Sequence, residues 1–367
     1  MKVLIFSHEY PNFGGGAGVV AKQLVTDLSN QGVVVDILTR ARKNNDLSDV
    51  NHCFEVDYKG KPWFIAYTAY IKLCINLSSY DFIICNDNVS QYIAGLIFTK
   101  KELEKSVLLL HGSEPEYFYQ NKSIKAKLLC LEKVYNRAIT HCSKCIAHSY
   151  YMKDKFLEHT TSKVKKEKIL VFYFGFDSDL FYPVDASNLR TSLDLKLSDI
   201  VLLTVGRVVE KKGFIRKLTL FNQARKSNSN LKWVIVGGGP FSAELKQRVF
   251  SLSLNDDIKF ADEINRSDLK QYYSLANVFW LLSEFKESFG LVYIESQSCG
   301  TPAIGNNLYG VKEAINNKTG LLANSDSDVL DYISNGDYDS HIKNDLIEFS
   351  TRFHSKNFAM YLIENYK

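Results

Sequence analysis

The chain has 367 residues, 46% of them hydrophobic and 23% charged, which excludes a disordered segment and exceeds what one core usually organises, so two domains are expected. A formal net charge of +4 is too mild for a nucleic-acid binder, and no run approaches the roughly 18 apolar residues that a membrane span needs. Seven cysteines without even framework spacing fit a reducing, cytoplasmic compartment.

In chain order, MKVLIFSHEYPN holds an apolar run of four residues before His-Glu-Tyr-Pro, so no secretory leader is expected there. Short β-branched runs then alternate with helical patterns, the signature of βαβ units and parallel sheets. Strands are expected at 3–6, 33–39, 82–85, 107–111, 145–148 and 169–173, with helices between them at 18–30 and 123–140, among others. A polar, turn-rich stretch at 177–199 carrying Pro183 marks the hinge. The scheme then repeats, with strands at 200–206, 232–236, 258–260, 278–282 and 302–305. The expected architecture is α/β: two doubly wound domains with a cleft between the carboxyl ends of their strands.

Charge is unevenly spread. Residues 100–170 hold fifteen Lys/Arg against eight Asp/Glu, a surplus that suits an anionic substrate or membrane surface and equally a solvated helix face. Ile124, Leu128, Leu131 and Tyr135 form one apolar face, with Lys122, Lys133 and Arg137 opposite. Such a helix packs on its own sheet or docks on an anionic membrane carrying a lipid-linked acceptor.

The stretch KESFGLVYIESQSCGTPAIG (286–305) carries the most chemistry. Eight residues along a helix amount to ~12 Å of rise and about 80° of rotation. Glu287 and Glu295 at that spacing fit neither a glycosidase carboxylate pair nor an i,i+4 surface network. They fit two handles on one ligand. Ser288, Phe289, Gly290 and Leu291 precede the apolar stretch 292–298, whose helix N-terminus would offer free N–H groups to an anion. A nucleotide-sugar has the required shape, with phosphates in the middle and hydroxyls at both ends. Upstream, LLTVGRVVEKKGF (202–214) ends a strand at Gly206 and places Arg207 and Lys212 at its carboxyl edge. Two cations there can neutralise a diphosphate leaving group without a metal; alone, they read equally well as solvated loop cations.

With these motifs the sequence resembles, over nearly its whole length, the retaining GT-B glycosyltransferases of family 4. The resemblance rests on ESFGLVYIE (287–295) followed by CGTPAIG, on GRVVEKKG (206–213), VIVGGGP (234–240) and GVKEAINNKTGLL (310–322). In the first half it rests on the glycine loop PNFGGGAGVVAKQL (11–24) and on LLLHG (108–112). It implies a GT-B fold of two Rossmann-like domains: 1–182 on the acceptor side, 183–352 on the donor side, and 353–367 as a helix crossing back. It implies that Arg207 and Lys212, beside Gly206, hold the donor diphosphate. Glu295 would meet the ribose hydroxyls and Glu287 the transferred sugar, with the loop Ser288, Phe289, Gly290 and Leu291 against sugar and phosphate. His111, Gly15 and Gly16 would approach the donor from the first domain, and Tyr10 would face an acceptor sugar. Glu287, His111, Arg207 and Lys212 are the catalytic candidates, with no metal and no cofactor. The implied donor is a UDP-sugar ahead of a GDP-sugar. The implied acceptor is a glycan or lipid-linked glycan of a surface polysaccharide or lipopolysaccharide, and the implied location is cytoplasmic, peripheral on the membrane.

The sequence departs from the family pattern in three places. Leu282-Ser283 lacks the usual proline, Tyr173-Phe174-Gly175-Phe176-Asp177 replaces Pro-Asn-Gly-Val-Asp, and Ala261-Asp262 replaces a glycine near the base pocket. Two competing readings exist. GAGVVA (16–21) matches G-x-G-x-x-A, with Asp36 twenty residues after Gly16, the spacing of an NAD(P)-dependent oxidoreductase or a nucleotide-sugar epimerase. However, nine residues separate Phe6 from Gly16, where the fingerprint needs an immediate turn. HCSKCIAH (141–148) offers His141, Cys142, Cys145 and His148 as zinc ligands, but a strand through this stretch turns alternate side chains apart.

Overall fold

The structure, a computed structural model, describes residues 1–10, 16–41 and 50–366. It divides into two compact units, Met1–Gly175 with Ser355–Lys367, and Phe176–His354.

The first unit is built on β1 (Lys2–Phe6), β2 (Val34–Arg40), β3 (His52–Val56), β4 (Phe82–Cys85), β5 (Ser106–Leu110), β6 (Lys144–Ala147) and β7 (Ile169–Val171). Their order in the sheet is β3-β2-β1-β4-β5-β6-β7, and every pairing is parallel. Such a sheet needs cover on both faces, and the central strands are apolar throughout for that reason. Alternation divides them: Leu4, Phe6, Ile83, Leu108 and Leu110 enter one core, while Val3, Ile5, Ile84, Val107 and Leu109 enter the other. Tyr67, Tyr92, Tyr135 and Phe156, from helices Trp63–Cys74, Asn88–Ile97, Leu131–His141 and Tyr150–His159, fill the first. Helices Gly16–Asn30 and Ser355–Tyr366 cover the second with Leu24, Leu28, Phe358 and Leu362.

The second unit contains β8 (Ile200–Val205), β9 (Leu231–Val236), β10 (Ile258–Phe260), β11 (Val278–Leu281), β12 (Ala303–Asn306) and β13 (Gly320–Ala323), in the order β10-β9-β8-β11-β12-β13. All pairings are again parallel. Trp233 and Trp280, on β9 and β11, meet at 5.1 Å between ring centroids and anchor its core with Phe214, Phe221 and Leu245.

Both architectures are the doubly wound sheets that the alternation of strands and helices predicts. Two edge strands, β3 and β13, are absent from the sequence expectation: HCFEV and GLLA are short and only partly buried, so neither carries a continuous apolar run. The helix expected over 123–140 is two, Ile124–Leu128 and Leu131–His141, broken where Cys130 adopts φ 49°. The break parts the expected apolar face. Leu131 and Tyr135 enter the core, Tyr135 stacking on Phe118 at 3.7 Å, while Ile124 and Leu128 stay 77% and 78% exposed.

Candidate active site

In the second unit the chain runs from β8 outward to β9 and β10, then returns to place β11 on the other side of β8. Loops leaving the carboxyl ends of two strands at such a reversal diverge, and α/β proteins bind ligands there. Here those loops are 206–213 after β8 and 282–290 after β11. They are fastened together. Glu284 N donates to the Lys211 carbonyl at 2.9 Å, and Gly213, at φ 69°, lies so close to β11 that a Cβ would stand 2.0 Å from the Leu282 carbonyl oxygen. Only glycine serves there. The glycine run after β9 braces the first loop, with Val208 N donating to Gly238 O at 2.8 Å and Gly206 N to Val236 O at 2.9 Å.

This fastening sets Lys212 Nζ 2.5 Å from Glu287 Oε1, both side chains largely buried, with the Phe285 ring 5.8 Å from the ammonium. Arg207 stands exposed on the same loop, and its guanidinium has no hydrogen bond or ion pair with a described residue. Beyond Glu287, whose carbonyl accepts from Gly310 N at 3.0 Å, the chain turns at Gly290 (φ 93°) into helix Leu291–Ser298. Its N-cap residue, Gly290, has no side chain to cap it and no acid occupies its first turn, which suits an anion at its amide end. Phe289 is buried against Phe353, with 5.2 Å between centroids, which holds the loop backbone in place.

The site therefore differs from a helix bearing two glutamates. Glu287 lies in the loop ahead of the helix, and Glu295 lies in its second turn, 2% exposed. Glu295 is already engaged: Arg266 Nη2 donates to Oε1 at 2.6 Å and the Tyr273 hydroxyl to Oε2 at 3.0 Å. Burial, then the Glu295 charge, push the Tyr273 phenol far above its ordinary value. The Arg266 guanidinium lies over the Phe181 ring at 4.9 Å.

The first unit has its own reversal point, between β1 and β4. Asn86, buried after β4, donates from Nδ2 to Ser7 Oγ and to the Ala17 carbonyl, each at 2.9 Å, and its Oδ1 lies 3.1 Å from His111 Nε2. His111 follows β5. Burial, then the neighbouring His148, push its imidazole down to about 3, so near neutral pH it is an uncharged ring whose Nε2–H can donate to Asn86. Glu114 accepts from the amides of His111 and Gly112, both at 2.8 Å, and fixes the turn that carries the ring. Gly16 opens helix Gly16–Asn30, and Gly15 lies outside the described residues.

Two family models match the two halves of the chain: Glycosyltransferase Family 4 over residues 14–180 and Glycosyl transferases group 1 over residues 185–333. The chain belongs to the group 1, family 4 glycosyltransferases. An alpha-monoglucosyldiacylglycerol synthase of Streptococcus pneumoniae is 25% identical over 83% of this chain and 70% of its own. A GDP-mannose-dependent alpha-(1-6)-phosphatidylinositol monomannoside mannosyltransferase of Mycobacterium tuberculosis is 27% identical over 42% of each chain. Among solved structures, HepE of Anabaena in complex with UDP and glucose superposes with a TM-score of 0.76 at 19% identity, over 100% of this chain and 99% of its own. The fold is GT-B.

Within this glycosyltransferase, several sequence expectations meet a different geometry. Tyr10 is 2% exposed, packed in the core with Val20 and Leu24, because the turn after β1 folds its ring under the first helix; it does not present a face to an acceptor. Asp36, which the dinucleotide reading needs free for a ribose, is buried and bound by Lys2 Nζ at 3.0 Å, the Tyr80 hydroxyl at 2.8 Å and Asn51 Nδ2 at 2.6 Å. The oxidoreductase reading loses its acidic handle. Cys142 and Cys145 lie side by side, 3.6 Å between sulfurs, but His148 turns its Nδ1 to the Leu110 carbonyl at 2.7 Å. Among the described residues no three His, Cys, Asp or Glu side chains are grouped to hold a metal. Arg266, Tyr273, Asn86 and Glu114 were not legible as site residues: each acts through a partner 3 to 29 positions away in the sequence, and no local motif marks them. No helix among the described residues is long and apolar enough to cross a membrane.

Proposed function

We propose that the protein is a retaining hexosyltransferase using a nucleotide-sugar, a UDP-sugar ahead of a GDP-sugar, with Arg207, Lys212 and the amide end of helix Leu291–Ser298 as its diphosphate site. The observation that carries this is the 2.5 Å contact of Lys212 with Glu287 at the β8/β11 reversal, with Arg207, whose guanidinium has no partner among the described residues, on the same loop. Glu287 meets hydroxyls of the transferred sugar and holds Lys212 extended toward the phosphates. Glu295, backed by Arg266, meets the ribose. His111, the neutral ring held by Asn86, is the first unit's candidate for the same donor, carried over from the family resemblance of LLLHG. The UDP and glucose bound to HepE support the choice of base.

In the reaction, the bond from the anomeric carbon to the phosphate oxygen breaks as the acceptor hydroxyl bonds to that carbon from the same face. The acceptor proton passes to the departing phosphate oxygen, and configuration is retained. Positive charge and helix-end amides stabilise the leaving diphosphate, so this chain need supply neither a metal nor a general base. The test is transfer from a panel of UDP-, GDP- and ADP-sugars, with the anomeric configuration of the product read by NMR. Arg207→Ala and Lys212→Ala should each lower kcat about a hundredfold or more; near wild-type rates would sink the assignment.

The acceptor we favour is a lipid-linked glycan in surface polysaccharide or lipopolysaccharide assembly, reached at the cytoplasmic membrane surface. Exposed Ile124 and Leu128, flanked by exposed Lys125 and Lys127, support this, as does the diacylglycerol in the name of the Streptococcus relative. Ile124→Gln with Leu128→Gln should reduce co-sedimentation with anionic vesicles at low salt.

A further inference from the structure

We propose that the first unit carries a second anion site, distinct from the donor machinery, for a ligand bearing phosphate groups. It is a surface pocket of about 470 Å³ between the end of helix Leu131–His141, the first residue of β6 and the segment 163–168. Lys144, Lys163, Lys165 and Lys168 line it, with Glu167 the one acidic residue among the lining.

The four lysines are not equivalent. Lys168 Nζ donates to the Thr140 carbonyl at 2.7 Å, a cation at the negative end of a helix, and is accounted for structurally. The ammonium groups of Lys144, Lys163 and Lys165 have no hydrogen bond or ion pair with a described residue. Like charges gathered on one concave surface repel one another, and the field they focus draws in a multivalent anion. Val164 apart, every lining residue carries a polar group at the end of its side chain, which suits phosphate oxygens. A lysine ammonium is a rotatable donor that accepts phosphate from several directions, and the Thr140 and Ser143 side chains stand in the same wall.

Position separates this pocket from the transfer chemistry. It lies at the amino ends of β6 and β7, whereas His111 follows the carboxyl end of β5 in the same parallel sheet. The two lie at opposite ends of the parallel strands. The pocket also gives part of the basic surplus of residues 100–170 a definite place.

The phosphate can belong to a lipid headgroup or to a soluble phosphorylated molecule, and the test separates them. Inorganic pyrophosphate is titrated calorimetrically at low salt into full-length protein carrying Arg207→Ala and Lys212→Ala, which removes the proposed diphosphate site. The titration is repeated with Lys144→Gln, Lys163→Gln and Lys165→Gln added, folding being checked by circular dichroism. The three substitutions should weaken pyrophosphate roughly a hundredfold, and added salt should weaken binding to the parent. If phosphatidylglycerol vesicles also retain the parent, lose the triple variant and are displaced by pyrophosphate, the ligand is a headgroup. Pyrophosphate binding without vesicle retention assigns a soluble ligand. Equal pyrophosphate affinity in the two proteins, or no heat with the parent, overturns the proposal.

Discussion

Lys217 shows most sharply what one residue costs this fold. It is fully buried beneath the loop of Lys212, with its ammonium 4.2 Å from the Phe214 ring centroid and 3.2 Å from Thr204 Oγ1. Burial, then the Lys212 charge, hold its pKa well below the ordinary 10.5. Protonation is thus easier in the unfolded chain than in the folded one. The contribution of Lys217 to stability is therefore most favourable above pH 10.5 and declines as pH falls below it, until the folded-state value is passed. In Lys217→Met that decline should be absent, and the variant should be more stable near neutrality by about 1 kcal/mol or more; denaturant titrations from pH 6 to 10 would read both. Arg266 makes the converse case. Removing its guanidinium as Arg266→Met leaves the buried Glu295 carboxylate with the Tyr273 hydroxyl as its remaining partner among the described residues, at a cost of about 1–3 kcal/mol. If Arg266 orients Glu295 for the donor, KM should rise more than kcat falls.

At the scale of elements, the break between helices Ile124–Leu128 and Leu131–His141 turns on Cys130, exposed at φ 49° and ψ 41°. A left-handed conformation costs a residue with a Cβ about 1–2 kcal/mol, part of which glycine returns as greater freedom in the unfolded chain. Cys130→Gly should therefore raise stability by about 0.5 kcal/mol, a small upward shift of Tm by calorimetry, whereas Cys130→Ala should leave it unchanged. The same junction explains why the helix boundary was illegible: Leu128-Leu129-Cys130-Leu131 carries no glycine or proline, and the break is set by Leu131 and Tyr135 being drawn into the core under Phe118. Elements with unbroken apolar runs, such as β1, β4 and β5, were legible almost to the residue, since burial on both faces leaves little room for polar residues. β3 and β13, at sheet edges, were not.

At the scale of the whole molecule, the terminal helix Ser355–Tyr366 belongs to the first unit although the chain reaches it through the second. It buries Phe358, Ala359 and Leu362 against helix Gly16–Asn30 and beside Phe172 and Phe174. Ending the chain at His354 should cost the first unit about 5 kcal/mol of apolar burial, seen as aggregation or early proteolysis within residues 1–175. By itself the sequence determined the doubly wound sheets, the family, and the loops that carry Arg207, Lys212 and Glu287, because alternation, strand-end glycines and motif spacing act over a few neighbouring residues. Only the tertiary structure decided that Lys212 reaches Glu287, that Glu295 is held by Arg266 and Tyr273, that Tyr10 and Asp36 are enclosed, and that lysines from two segments share one pocket. Those are pairings between groups up to 75 positions apart, and which charges meet depends on how sheet order returns distant loops to one edge.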